Sequence, residues 1–148
     1  IELSGEINDY MPLHTLYMIL NKLKEKRKIE DAKIAVFGVT YKKDISDVRE
    51  SPAVTLIELL KDYGIEVVYH DPHVFKIATK HGVIKGLPLE EAAKDCDCIV
   101  FAVDHTVFKT LDLSRLQSLM RTPIIVDGKN VFDFVEGFSY VGIGKVNL

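Results

Sequence analysis

Near the start of the chain, apolar residues recur three and four apart: Leu13, Leu16, Tyr17, Leu20 and Leu23. This spacing predicts one amphipathic helix over 8–28, with Asn8 as its N-cap. Its end is basic, carrying Lys22, Lys24, Lys26, Arg27 and Lys28. Cations suit the negative end of the helix macrodipole; a basic interaction site is the other reading. The pattern then changes. Residues 33–38 (Lys-Ile-Ala-Val-Phe-Gly) are apolar without alternation, as in a strand buried on both faces. A polar loop over 40–50 leads to a well-punctuated helix. Ser51 stands at its N-cap, Pro52 at its first position and Gly64 just past its end. Its expected core face is Ala53, Leu56, Ile57, Leu60 and Tyr63. A strand over 66–70 follows and closes at Asp71-Pro72. Strand, loop, helix and strand form one crossover unit, which makes the two strands parallel.

The pattern repeats more loosely. It predicts a short helix over 89–94, a very apolar strand over 98–103 and a helix over 114–120. Leu113, Leu116 and Leu119 or Met120 would face inward. A strand over 124–126 ends in Asp127-Gly128, and a last strand over 138–141 runs into Gly142-Ile143-Gly144. The reading is α/β: a long helix leading into a doubly wound parallel sheet.

Composition narrows the function. The chain has 148 residues, 47 % of them apolar and 28 % charged, an ordinary globular balance. A net charge of −3 gives no overall pull toward nucleic acid or an anionic membrane. The longest apolar runs fall far short of the ~20 residues that span a bilayer, and the opening residues resemble no signal peptide. Cys96 and Cys98 are too few and too close for a disulfide framework, so a reduced, cytoplasmic protein is expected. The chain opens on Ile1 rather than Met, as a piece of a longer chain or a trimmed product would.

In an open parallel sheet, ligands bind beyond the carboxyl ends of the strands. Four polar clusters fall there: Thr40 to Asp44, Asp71-Pro72-His73, Asp104-His105-Thr106 and Asp127-Gly128-Lys129-Asn130. Lys42, Lys43 and Lys129 beside a helix N-terminus suit a phosphate. A dinucleotide loop would read G-x-G-x-x-G, whereas this turn has Gly38 alone. Asp71 does occupy the place of a ribose-binding acid. His70, His73, His81 and His105 look too scattered for a metal site, so none is expected. Cys98 reads as core, and Cys96, between Asp95 and Asp97, as a thiol of raised pKa. Asp104-His105 is a weak candidate for a base with its orienter. No catalytic constellation emerges.

The residues become specific in the first loop. Gly38-Val-Thr-Tyr-Lys-Lys-Asp-Ile-Ser-Asp-Val-Arg-Glu-Ser-Pro-Ala resembles the signature of the C-terminal domain of the UDP-glucose/GDP-mannose dehydrogenase family. The likeness continues through Tyr69-His70-Asp71-Pro72, Val103-Asp104-His105 and Asp127-Gly128-Lys129-Asn130. Ile7-Asn8-Asp9 and Met11-Pro12 resemble the helix that leads in from the family's central domain.

The resemblance implies a Rossmann-like, UDP-binding domain over 31–148, preceded over 1–30 by a connecting helix. It implies a parent enzyme that oxidises the C6 hydroxyl of a UDP-sugar to a carboxylate in two NAD-dependent steps. NAD would be bound by an N-terminal domain and a cysteine supplied by a central one, both outside this sequence. The fragment itself would hold no cofactor and would be inactive alone. The expected partners are the UDP-sugar, the other two domains and a second copy in a homo-oligomer. Tyr41 and Lys42 match the family's aromatic-Lys pair at the nucleotide. Lys129 matches a position often Arg, and Lys lacks its bidentate fork. Arg49 and Glu50 read first as braces of the loop, with Arg49 and Asn130 as secondary candidates for ligand contact. The likeness leans toward the UDP-N-acetylmannosamine and UDP-N-acetylglucosamine branch, with UDP-glucose the close competitor. Two other classes stay open: a stand-alone module for adenine nucleotides or NAD, and a structural oligomerisation domain.

Overall fold

The computed structural model describes residues 3–133, 135–143 and 145–146. Helix α1 (Leu3–Leu23) precedes strand β1 (Lys33–Phe37), helix α2 (Pro52–Asp62) and strand β2 (Glu66–His70). A hairpin of β3 (Lys76–Thr79) and β4 (Gly82–Lys85) comes next, then α3 (Leu89–Ala93), β5 (Cys98–Phe101), α4 (Leu113–Leu119), β6 (Ile124–Asp127), β7 (Ser139–Gly142) and β8 (Lys145–Val146). The main sheet has the order β2-β1-β5-β6-β7-β8. Its first five strands are parallel, and β8 returns antiparallel along β7. The chain starts at β1, steps to β2, then crosses back over β1 to β5, so its direction of winding reverses between β1 and β5.

Both faces of the sheet are covered. On one, Leu16, Ile19 and Leu23 of α1 and Leu56, Ile57 and Leu60 of α2 pack on Ile34, Val36, Val100 and Val126. On the other, Ala92, Ala93, Phe108 and Leu116 pack on Ala35, Phe37, Ile99 and Ile125. Strands sandwiched this way bury every residue, which is why β5 and β6 show no alternation. Among the described residues, no helix is long and apolar enough to cross a membrane.

Several expectations are corrected. α1 starts at Leu3, which puts Asn8 inside the helix rather than at its cap, and the helix ends at Leu23, before most of the basic run. Its buried side is Thr15, Leu16, Ile19 and Leu23, while Leu13 and Tyr17 are exposed. Apolar residues surround this helix, so periodicity alone does not choose the stripe that meets the sheet. Arg27 does not serve a helix end; its Nε lies 2.9 Å from the buried Asp97. Tyr63 is the C-cap of α2 and is 56 % exposed. The hairpin β3–β4 has strands of only four residues, too short to announce themselves by periodicity. It is held on α2 by Lys80, whose N–H and Nζ donate to Glu58 and Asp62, and by His81 on Asp62. The expected closing Gly142-Ile143-Gly144 stands only in part, since Gly144 lies outside the described residues.

Candidate functional site at the carboxyl edge of the sheet

Each parallel strand ends in a loop at one edge, and two buried acids organise that edge. Asp71, just after β2, accepts Val39 N–H (2.8 Å) and the ring of His105 (2.9 Å) on Oδ2, and its own loop's His73 N–H (2.7 Å) on Oδ1. Asp127, the last residue of β6, accepts the N–H groups of Lys129, Val131 and Phe132 and the Tyr140 hydroxyl. Those bonds fold the turn that presents Lys129 and Asn130. Asn130 adopts a left-handed backbone (φ 54°), a conformation asparagine tolerates.

The loop after β1 is shaped by short contacts of its own. Tyr41 N–H donates to Asp47 O (2.7 Å), and Thr40 Oγ1 donates to Lys42 O (2.6 Å). Arg49 grips Asp47 with Nε on Oδ1 (3.0 Å) and Nη2 on Oδ2 (2.8 Å). Hydrogen bonds from Arg49 hold the Asp47 carboxyl down at about 2. Arg49 is thus a brace, and the ion pair expected to involve Glu50 runs to Asp47 instead. Ser51 stands at the N-cap of α2, yet its hydroxyl turns to Thr40 O (3.4 Å) and gives the helix no side-chain cap. The first turn of α2 therefore keeps its positive end available.

The residues picked from sequence fall into two groups. Lys129 lines a small cleft with Thr15, Pro52, Ala53, Ala102 and Gly128, at the open start of α2. Tyr41 and Arg49 line a neighbouring depression with Asp47 and Glu50, and Lys42 Nζ lies 5.8 Å from the centroid of the Tyr41 ring. Tyr41, Lys42, Lys43 and Lys129 are all exposed.

Other sequence candidates resolve differently. His105 is oriented by Asp71, 34 residues away, and not by its neighbour Asp104. His73, which looked remote, packs edge-on against His105 at 4.8 Å between ring centroids. Asp44, His73 and His105 place ligating atoms within 4.8 Å of one another. Both ring nitrogens of His105 are already in hydrogen bonds, however, so a metal ion there would have to break one of them. Cys96 and Cys98 are fully buried, and burial, before the nearby acids, pushes the Cys96 thiol up to about 12 and Cys98 well above its usual range.

Two features of a dinucleotide-binding turn are differently used at this edge. The acid in the ribose position, Asp71, is committed to Val39 and His105. Gly38, the lone glycine of the turn, is packed against Val103 rather than open to a pyrophosphate. The Asp71–His105 pairing and the Asp127 hub escaped sequence reading; the one signal was an acid closing an apolar strand in each case.

Fold and edge together define an α/β domain whose parallel strands end at an edge carrying exposed lysines and the N-terminus of α2. The family model described as the UDP-glucose/GDP-mannose dehydrogenase family, UDP binding domain, matches residues 35–134, and the chain belongs to that family. It is 35 % identical over 140 residues to a UDP-N-acetyl-D-mannosamine dehydrogenase of Methanococcus maripaludis, covering 90 % of this chain and 30 % of that protein. It is 38 % identical over 125 residues to a UDP-glucose 6-dehydrogenase of Rhizobium meliloti, covering 79 % of this chain and 28 % of that one. The solved UDP-D-ManNAc dehydrogenase of Pyrococcus horikoshii superposes with a TM-score of 0.83 at 34 % identity, over 94 % of this chain and 32 % of that one. The chain spans about a third of the length of the curated relatives it matches.

Proposed function

We propose that this chain is the UDP-binding C-terminal domain of an NAD-dependent UDP-sugar 6-dehydrogenase, acting on a UDP-N-acetylhexosamine such as UDP-N-acetylmannosamine. The observation that carries the reading is the placing of Lys129 at the uncapped N-terminus of α2, beside the braced loop that bears Tyr41 and Lys42. A diphosphate is the ligand such an edge favours: two negative groups met by a helix dipole and mobile ammonium groups. Lys42 neutralises phosphate charge, Tyr41 packs beside the nucleotide, and Lys129 reaches the donor from the β6 side. Arg49 and Asn130 serve the ligand second, being used first for the loop and the turn. α1 enters from the central domain of the parent enzyme, residues 1–30 being the connection and 31–148 the binding unit. NAD and the catalytic cysteine belong to the other domains, and the parent is a homo-oligomer. The sugar preference is supported by the relatives that act on UDP-N-acetyl-D-mannosamine.

Lys42→Ala is expected to weaken UDP binding roughly 10–100-fold, the worth of a charged hydrogen bond of about 1.5–3 kcal/mol. Lys43→Ala stays within about threefold, as a solvated cation should. Isothermal titration of both variants checks this. Equal losses at the two lysines would reduce Lys42 to general charge.

A further inference from the structure

The His105 imidazole sits at the centre of the edge, fully buried, and touches the loop on both sides of Lys42. Its Nδ1 lies 2.8 Å from the backbone nitrogen of Asp44. A backbone N–H can only donate, so Nδ1 must offer its lone pair, and the ring proton sits on Nε2. There Asp71 Oδ2 accepts it at 2.9 Å, with Thr40 Oγ1 a longer neighbour at 3.3 Å. Thr40 and Asp44 are the residues two before and two after Lys42. Thr40 also donates to the Lys42 carbonyl. The backbone of Lys42 is thus anchored from both sides on one ring.

The grip on Asp44 is double. Its carboxylate accepts the Thr106 N–H at 2.9 Å and the Thr106 hydroxyl at 2.5 Å, while its N–H is held by His105. Asp44 adopts φ 58°, a left-handed conformation that aspartate tolerates and that these bonds hold in place. The ring itself cannot turn freely: it packs against Phe108 at 5.3 Å and His73 at 4.8 Å.

We infer that His105 is the positioning residue of the nucleotide loop, its Nδ1 lone pair and its Nε2–H bond to Asp71 together fixing the backbone that presents Tyr41 and Lys42. The inference rests on the reading of Tyr41 and Lys42 given above. Asp71 supplies the orientation: it locks the proton on Nε2 and so keeps Nδ1 free to accept. The acid that a dinucleotide domain would turn to a ribose here aligns the histidine.

Two substitutions separate positioning from space-filling. His105→Asn places an amide oxygen near the Nδ1 position and keeps an acceptor for the Asp44 N–H. His105→Gln reaches toward Asp71 but loses that acceptor, although its volume is nearer to histidine. Amide hydrogen exchange at Asp44 and Lys42, UDP affinity and thermal midpoint are measured on the 148-residue chain and both variants. The nitrogen chemical shifts of the wild-type ring report its tautomer. Expected are an Nε2-protonated ring, a protected Asp44 amide in wild type and His105→Asn, and exchange at least tenfold faster in His105→Gln. UDP affinity falls at least tenfold in His105→Gln and less than threefold in His105→Asn. An Nδ1-protonated ring overturns the inference. So does unchanged Asp44 exchange in His105→Gln, or losses that follow side-chain volume and thermal midpoint alone. Should wild type bind no UDP, the nucleotide reading falls, while the exchange and tautomer arms still decide whether His105 holds the loop.

Discussion

Asp97→Asn is expected to destabilise the fold by about 3 kcal/mol, roughly 6–12 °C in thermal midpoint for a chain of this size. Asp97 is buried at the amino end of the sheet, just before β5. It accepts the Lys33 N–H (3.0 Å), Thr122 Oγ1 (2.7 Å) and Arg121 through Nε (2.9 Å) and Nη2. Arg27 completes the ion pair at 2.9 Å. The carboxylate thus ties the segment after α1 to β1, β5 and the turn before β6. Removing its charge leaves two guanidinium groups facing a neutral amide, and breaking a buried pair in this way costs about 3–5 kcal/mol. The two arginine side chains are 32 % and 41 % exposed and can rehydrate, which places the loss at the lower end. Burial alone would raise the Asp97 pKa; the bonds from Arg121, Thr122 and Lys33 more than offset it and hold the group below its ordinary value. A carboxyl depressed in the folded state stabilises the fold above its unfolded value and loses that contribution as pH falls toward the folded one. Wild type therefore sheds the Asp97 contribution only below about pH 4, and Asp97→Asn lacks that component. Denaturant melts of the two proteins at pH 7 and pH 3 measure both effects. A loss under about 1 kcal/mol at pH 7 would show that the carboxylate is dispensable.

Gly38→Ala is expected to cost roughly 2–5 kcal/mol, combining left-handed backbone strain with overpacking. Gly38 has φ 95°, and an added Cβ would lie 2.6 Å from Val103 Cβ and 3.0 Å from Val103 N. A side-chain end can yield, but Val103 Cβ and N move only with the backbone, which the Ala102 N–H bond to Phe37 O anchors just after β5. The clash forces apart the loops after β1 and β5 at the point where the sheet reverses its winding. Those loops carry Thr40 and His105, so UDP affinity falls together with stability. Thermal melts with and without UDP test the pairing. An alanine that melts within about 1 °C of wild type would mean that the turn has room to relax.

Much of the framework was legible because it is local. Ser51-Pro52 and Gly64 delimit α2, and the continuous apolar runs at β1, β5 and β6 announce strands covered on both faces. Where two apolar stripes share one helix, as in α1, the choice between Leu13-Tyr17 and Ile19 is made by the sheet, and no spacing within the helix reveals it. The candidate cations Lys42, Lys43 and Lys129 are read from residue type and position alone. The contacts behind them are not legible that way: His105 meets Asp71 and Asp44 across 34 and 61 residues, and Asp97 meets Arg121 across 24. Ser51 shows a further limit of local signals, since its hydroxyl serves the loop instead of the helix it begins.

We propose that this edge takes a uridine diphosphate rather than a dinucleotide. The direct measurement is a thermal-shift titration of the chain with UDP, NAD and ADP in parallel. A ligand at 100 times its dissociation constant adds about 2.7 kcal/mol, on the order of 5–15 °C for a domain of this length. Such a shift is expected with UDP, with little or none from NAD or ADP, and the UDP shift is expected to be lost in Lys42→Ala. Stabilisation by NAD or ADP equal to that by UDP, or no stabilisation by UDP at all, would contradict the proposal.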